Sequence, residues 1–401
     1  MNRRYFLKSG LAATSMMLMP SLVSRSFAAD PVTLYGLKSM SGPFASYGDF
    51  AEKGSRLAVS DFGPLLGAAP KYVTIDTEGN PGRAVRKVQE AIQQQNAKYF
   101  CGCTLSSTAL AVGKEVDKGA GVFITPAGAD EITSTECNRA TFRWTVPTYG
   151  AIQQTVRPVF EANPSAKRWY TITPQYVFGE ALLTAAKNLF AELGIEHVGN
   201  SYHSTQEQEY SGYLTNAMAA KPDVLLLLGF GGNGASCLRQ AANFGLKSKM
   251  TILMAWTAGL DWFQSLGPDL LDGVYLGAQY WHQVHNPCND ELVKRVREVY
   301  GINPNYPLAA DYAGTKIILD AIAKVGSAED GRAVAKAMEG MVYEGPTGTE
   351  TVRAADHQVI KDYYLLRGKP KSKMKDADDL AEVISSGKSF PEGDAIMCKM
   401  S

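Results

Sequence analysis

Three segments of this sequence carry residue types at spacings that could do chemistry, and each points to a different kind. Gly229-Phe230-Gly231-Gly232-Asn233-Gly234 matches G-x-G-x-x-G directly after the apolar run at residues 224–228. That is the setting in which a dinucleotide rests its pyrophosphate on a helix N-terminus. The same chemistry needs a carboxylate about 20 residues onward to hold the ribose hydroxyls. Here the next strand ends in Leu253-Met254-Ala255-Trp256, and Asp261 lies beyond it. An indole cannot accept those bonds, so the motif reads as a glycine-rich turn lining a cleft, or as packing, ahead of a nucleotide site. Cys101-Gly102-Cys103 and His282-Gln283-Val284-His285 offer metal donors, yet neither has a second pair at zinc-ligand spacing. No metal and no cofactor is expected. H-E-x-x-H, G-x-S-x-G and G-x-x-x-x-G-K-[ST] do not occur, so the common metalloprotease, α/β-hydrolase and phosphate-loop signatures are missing.

What remains is a set of hydroxyls, rings and flexible backbone that only a particular framework could bring together. Strand-like runs fall at residues 32–37, 72–76, 98–101, 122–125, 168–173, 197–202, 224–228, 251–255 and 273–276, with helix-period segments at 49–60, 83–94, 109–118, 178–193 and 235–244 between them. Strand, helix, strand order means parallel sheets with helices on both faces, an α/β architecture of doubly wound lobes. Ligands of such sheets bind outside the carboxyl ends of the strands, where helix N-termini present free N–H groups. The exits in the first half carry Ser41-Gly42-Pro43 with Tyr47, Ser106-Ser107-Thr108 and Pro126-Ala127-Gly128-Ala129. Those in the second half carry Tyr176, Phe178, Phe230 and Trp256. A carboxylate fits the hydroxyls and loops of the first set, and an apolar body fits the rings of the second. Ordinary core packing is the competing reading for each ring.

At 401 residues the chain exceeds what one hydrophobic core usually holds, and Thr145-Val146-Pro147 marks the first boundary. Helical segments at 290–300 and 309–325, followed by the turn-rich Glu344-Gly345-Pro346-Thr347-Gly348, would cross back if they cover the first sheet, which makes a hinge. Residues 1–29 read as an export signal, with a basic start (Arg3, Arg4, Lys8), an apolar stretch at 11–23 and small residues at Ser26, Ala28 and Ala29. Pro20 interrupts the stretch, which falls short of the ~20 residues that span a bilayer. Arg3-Arg4-Tyr5-Phe6-Leu7-Lys8 looks like a twin-arginine address, with a general secretory signal as the alternative. A periplasmic protein is expected.

Lys plus Arg and Asp plus Glu both number 40, which leaves no field for a nucleic-acid backbone. Removing residues 1–29 leaves 36 basic against 40 acidic residues, so anionic lipid has no electrostatic hold either. Residues 368–375, rich in lysine and followed by Asp376, Asp378 and Asp379, read as a solvated loop. All six cysteines follow the signal, in a compartment where disulfides persist. Cys103 with Cys137 and Cys288 with Cys398 are the preferred pairs.

The residues also resemble a known family. Met40-Ser41-Gly42-Pro43-Phe44-Ala45-Ser46-Tyr47-Gly48-Asp49, Leu105-Ser106-Ser107-Thr108 and Thr125-Pro126-Ala127-Gly128-Ala129 look like the leucine/isoleucine/valine-binding proteins, type I periplasmic receptors of ABC importers. The likeness continues through Phe178-Gly179-Glu180, Leu238-Arg239-Gln240-Ala241, Gly245-Leu246-Lys247 and Gly345-Pro346-Thr347-Gly348, and so spans nearly all of the mature chain. It implies two lobes joined by a three-crossover hinge, residues 30–146 with 281–346 and residues 147–280 with 347–401. It also implies a monomer that is not an enzyme and serves a membrane permease. By this resemblance Tyr47 and Phe178 flank the ligand, Ser106 and the backbone at Ala127 hold a carboxylate, and Phe230 faces them. Two departures bear on the ligand. Ala129 stands where relatives that bind amino acids carry a hydroxyl, and Trp256-Thr257 stands where they place an acid for the ammonium. A buried ammonium without a carboxylate is costly, so a small aromatic or apolar carboxylate, or a modified amino acid, is expected. The alternatives are an exported dinucleotide-dependent redox enzyme and a ligand-sensing partner of a membrane receptor.

Overall fold

Alternation of short apolar strands with amphipathic helices produces two sheets in the computed structural model, which describes residues 30–400. The export signal assigned to residues 1–29 lies outside the described residues. The first sheet contains β1 (Thr33–Lys38), β2 (Lys71–Asp76), β3 (Tyr99–Gly102), β4 (Val122–Thr125) and β5 (Thr141–Arg143), all parallel, in the order β2-β1-β3-β4-β5. Every residue of β3 and β4 is buried, as a sheet covered on both faces requires. The covering helices are α1 (Ala45–Phe62), α2 (Pro81–Gln95) and α3 (Ser106–Lys118).

The chain then enters a second sheet through α4 (Thr148–Ala162). Its parallel strands are β6 (Arg168–Pro174), β7 (Glu196–His203), β8 (Val224–Leu227), β9 (Thr251–Met254) and β10 (Tyr275–Ala278). Between them run α5 (Val177–Leu193), α6 (Ser211–Ala220), α7 (Gly231–Asn243), α8 (Leu260–Leu266) and α9 (Pro268–Leu271). After β10 the chain turns back: α10 (Pro287–Tyr300) leads to α11 (Tyr306–Val325), which packs along α1 and against β3 and β4, and then to α12 (Gly331–Met338). A small antiparallel sheet of β11 (Val342–Gly345), β12 (Gly348–Val352) and β13 (Val359–Ile360) returns it to the second sheet. There β14 (Tyr363–Gly368) and β15 (Ala381–Gly387) add an antiparallel edge, giving the order β15-β14-β10-β9-β8-β6-β7. The five strands from β11 to β15 have no counterpart in the sequence-based strand set. β15 is short of buried positions, and β11 alternates exposed and half-buried residues, so neither carries an apolar run.

The fold is thus α/β, two doubly wound lobes joined where the chain passes between them three times. Side chains bind the passages to one another. Gln279 accepts from Val146 N (2.9 Å) and donates to Val146 O (2.8 Å). Trp144 Nε1 donates to Glu350 Oε2 at 2.7 Å, and Gln358 Nε2 to Thr145 O at 2.8 Å. In the first lobe Lys38 and Asp311 pair inside the core, each side chain 1% exposed. Removing one partner would strand the other charge, at a cost of about 3–5 kcal/mol.

The cysteine pairing differs from expectation. The disulfide joins Cys137, in the loop before β5, to Cys398 in the C-terminal tail. Cys103 and Cys288 are free thiols, with Cys101 and Cys237. Cys103 follows β3 with its thiol turned into the core, donating weakly to Leu105 O (3.8 Å), and Cys288 lies in the first turn of α10. The tail runs past the hinge, held by Gln154 Nε2 on Ser389 Oγ and Arg353 Nη1 on Pro391 O, both at 2.6 Å, and this path delivers Cys398 to Cys137.

Candidate functional site

Helix N-termini show first where a ligand could be received. The helices α2, α10, α11 and α12 begin with Asn80, Asn286, Asn305 and Asp330, whose side chains accept from first-turn amides. By contrast α1 and α3 to α9 have no side-chain cap, and of these α3, α5 and α7 start after Leu105, Tyr176 and Phe230. Their first-turn N–H groups have no intrahelical acceptor. All three begin at carboxyl ends of strands and face one compartment between the lobes, lined by Tyr47, Thr104, Ser106, Pro126, Gly128 and Tyr306 from one side and Tyr176, Phe178, Phe230 and Trp256 from the other.

Five of the rings form a closed circuit. Tyr47 meets Phe230 at 5.6 Å, Phe230 meets Phe178 at 6.1 Å, and Phe178 meets Trp256 at 5.1 Å. Trp256 then meets Tyr306 at 6.4 Å, and Tyr306 meets Tyr47 at 5.7 Å. Every contact is edge-on, the geometry aromatic quadrupoles prefer. Tyr176 extends the array from Phe178 at 5.9 Å. Burial pushes the phenols of Tyr47, Tyr176 and Tyr306 up, so all three stay neutral donors. The Tyr306 hydroxyl donates to Pro126 O at 2.7 Å and pins the loop after β4.

That loop supplies the polar end. The Ala129 amide donates to Ser106 Oγ (3.2 Å), which leaves the Ser106 hydroxyl hydrogen free to donate onward. Ala127 N–H is already held by Thr125 Oγ1 at 3.2 Å. Gly128 lines the compartment, and a Cβ there would lie 2.6 Å from the Trp256 ring and 2.8 Å from Phe178. Only glycine lets the two lobes approach this closely.

Of the residues singled out from sequence, Tyr47, Ser106, Gly128, Tyr176, Phe178, Phe230 and Trp256 therefore meet. Ala127 and Ala129, 1% and 0% exposed, sit behind the wall instead. Sequence reasoning missed Tyr306, although Asn305 and Pro307 around it mark a helix start. It also missed Thr104, which flanks the 105–108 segment it had named, whereas Pro126 opens a strand exit it had named without giving it a role. The motif at 229–234 is a turn that lines the cleft through Phe230, while its glycines pack: Gly231 sits against the Phe44 ring of the opposite lobe, and a Cβ on Gly234 would strike Met254 Cε at 2.2 Å.

Among the described residues no acidic side chain lines the compartment. Asp261 reaches across beside it, accepting from Asn305 Nδ2 (2.6 Å) and Ser46 Oγ (3.2 Å), both on the other lobe. Burial pushes its pKa up, against the two hydrogen bonds. The enclosed free volume is about 10 Å³, room for about one water. Larger open hollows of about 570 and 560 Å³ lie at the amino ends of the strands, away from these groups.

Two doubly wound lobes that close aromatic and hydroxyl-bearing walls on each other define a receptor that engulfs a small molecule. The family model described as periplasmic binding protein matches residues 31–375, and the chain belongs to that family. It is similar to the Leu/Ile/Val-binding protein BraC3 of Rhizobium johnstonii, at 23% identity over 83% of this chain and 93% of that one. A solved amino acid ABC transporter substrate-binding protein from Pseudomonas fluorescens Pf-5 is 66% identical, with a TM-score of 0.90, over 93% of this chain and 100% of that one. An R. palustris solute-binding protein solved with benzoate shares the fold at 23% identity and a TM-score of 0.83, over 92% of this chain and 100% of that one.

Proposed function

We propose that this protein is the periplasmic solute-binding component of an ABC importer, which closes on one small carboxylate with an aromatic or apolar body and passes it unchanged to a membrane permease. The observation that carries this is the pairing of an aromatic circuit with a hydroxyl-and-backbone corner in a compartment lined by no acidic side chain. The carboxylate would lie toward Ser106, Gly128 and the free amides of α3, and its body between Phe178, Trp256 and Tyr47. The 66% identical Pseudomonas fluorescens protein, named for amino acid ABC transport, supports the importer role. The R. palustris relative solved with benzoate supports the ligand class. An unmodified amino acid fits less well, because its ammonium would be buried without a counter-charge. The exported redox enzyme has no supporting observation.

In this reading the lobes are residues 30–146 with 281–346 and residues 147–280 with 347–401, and the mature chain works as a monomer. A ligand enters only when the lobes part, since the closed compartment is nearly full. Closure is favoured to the extent that contacts to both walls exceed those to one.

Calorimetric titration with benzoate, 4-hydroxybenzoate, phenylacetate and leucine tests this. One site per chain, no product, and a raised melting temperature are expected; at a hundred times Kd the stabilisation is about 2.7 kcal/mol. Tight binding of leucine with none of the aromatic acids would refute the ligand class.

A further inference from the structure

Behind the polar corner lies a buried charge. β5 ends in Arg143, which is 2% exposed. Its Nε donates to Gln358 Oε1 at 2.7 Å, Nη1 to Gly128 O at 3.3 Å and to Ala129 O, and Nη2 to Thr133 Oγ1. Each of these acceptors is neutral. The neighbouring carboxylates are engaged elsewhere: Asp356 takes both arms of Arg353, at 2.9 and 2.7 Å, and Asp130 accepts from the Tyr149 amide at 3.3 Å. Burial draws the guanidinium down to about 10, partly offset by Asp130, Asp356 and Glu131, so it remains a cation at neutral pH. Among the described residues no carboxylate pairs with it directly, so these three compensate it only from a distance, and such a buried cation is costly to the fold.

The carbonyls it holds belong to the loop that borders the compartment. The peptide whose oxygen is Gly128 O carries the Ala129 N–H, and that N–H donates to Ser106 Oγ. A continuous line of dipoles therefore runs from the guanidinium through one peptide to the Ser106 hydroxyl, every positive end pointing at the compartment.

We propose that Arg143 is a positioning residue for anion recognition: without touching the ligand, it fixes the 128–129 peptide, polarises it toward Ser106, and sets behind the ligand's carboxylate a positive charge that no acidic side chain among the described residues pairs directly. Gln358, on the third passage between lobes, accepts from Arg143 Nε and donates to the main chain of Arg143 (3.3 Å) and Thr145 (2.8 Å). The guanidinium thus sits where two hinge strands meet, and a change in the loop is felt there directly. The inference rests on the carboxylate reading of the site.

The test is calorimetric titration of Arg143→Gln and Arg143→Lys with matched acid and amide probes, benzoate against benzamide and leucine against leucinamide. For the acid that the wild type binds, Arg143→Gln is expected to weaken affinity about tenfold or more and to leave the amide within about twofold. Arg143→Lys, which keeps the charge, should recover most of the acid-over-amide preference. Equal losses for acid and amide, or an unchanged acid affinity, would overturn the role of Arg143 while a carboxylate receptor still stood. If Arg143→Gln does not fold, Arg143→Lys decides alone: a lost preference in a folded Lys variant overturns the proposal, and a kept one supports it. A wild type that binds none of the acids, or binds the amides as tightly, overturns the carboxylate reading and this role with it.

Discussion

The two walls of the compartment are built from different materials. The first lobe offers Thr104, Ser106, Pro126 and Gly128 with two phenols, whereas the second offers Tyr176, Phe178, Phe230 and Trp256 and no small polar side chain. Direction and charge complementarity therefore come from one wall, and contact area from the other. Hydrogen bonds to the first wall can form while the lobes are apart. Contacts with the second need closure, because Phe230 and Trp256 complete their circuit only through Tyr47 and Tyr306 across the gap. The division teaches how one site can both orient a guest and report it: the polar wall sets which end enters, and the aromatic wall makes the closed state the preferred one.

The largest expected effect breaks the aromatic side. Trp256 is 2% exposed, edge-on to Phe178 and Tyr306, with Gly128 against its ring. Trp256→Ala is expected to cost about 2–4 kcal/mol in ligand affinity, roughly 30- to 1,000-fold, read by calorimetry. Tyr47→Ala, removing a ring from the opposite wall, should cost less because Tyr306 stays beside it. Unchanged affinity in both variants would remove the site from this compartment.

Ser106→Ala sharpens the comparison from the polar side. It deletes one neutral donor and leaves the α3 amides in place, so a loss of about 0.5–1.5 kcal/mol is expected. If the walls divide their work as described, the loss should appear for an acid probe and nearly vanish for its amide. A loss at Ser106 exceeding that at Trp256 would reverse the assignment of contact energy to the second lobe.

Much of this contrast was legible in the sequence, because the rule that ligands sit beyond strand ends acts on local signals. Ser106 and Phe178 each follow a recognisable strand, and Trp256 ends one. What escaped notice depends on contacts distant in the chain. Tyr306 reaches the site on a helix that returns from the second passage and packs on α1, and no local pattern says where it lands. The disulfide spans 261 residues and is set by where the tail is led by Gln154 and Arg353, so spacing could not choose Cys137 for Cys398. Arg143 ends β5, a three-residue strand absent from the sequence-based set; its neutral partners are visible only once the loop after β4 and the third passage lie beside it.

The smallest expected effect concerns the rim, where Asp261 of the aromatic lobe reaches Ser46 and Asn305 of the other. Burial in the closed arrangement raises its pKa, against the two hydrogen bonds, whereas with the lobes parted it is expected near the ordinary value of about 3.9. A carboxyl raised on closing favours closure fully below its open-state value, and that advantage is lost as pH rises through the closed-state value. Closure therefore takes up proton, and ligand affinity should decline gently as pH climbs from the ordinary carboxylate range through the raised closed-state value. Asp261→Asn removes the titration while keeping an acceptor for Asn305, so its affinity should be flat across the same interval. Acid probes with pKa values near 4 would confuse the comparison, so the amide partner of each pair is the proper control. A slope that survives in Asp261→Asn would place the proton elsewhere and reduce the rim contact to a consequence of closure rather than a contributor.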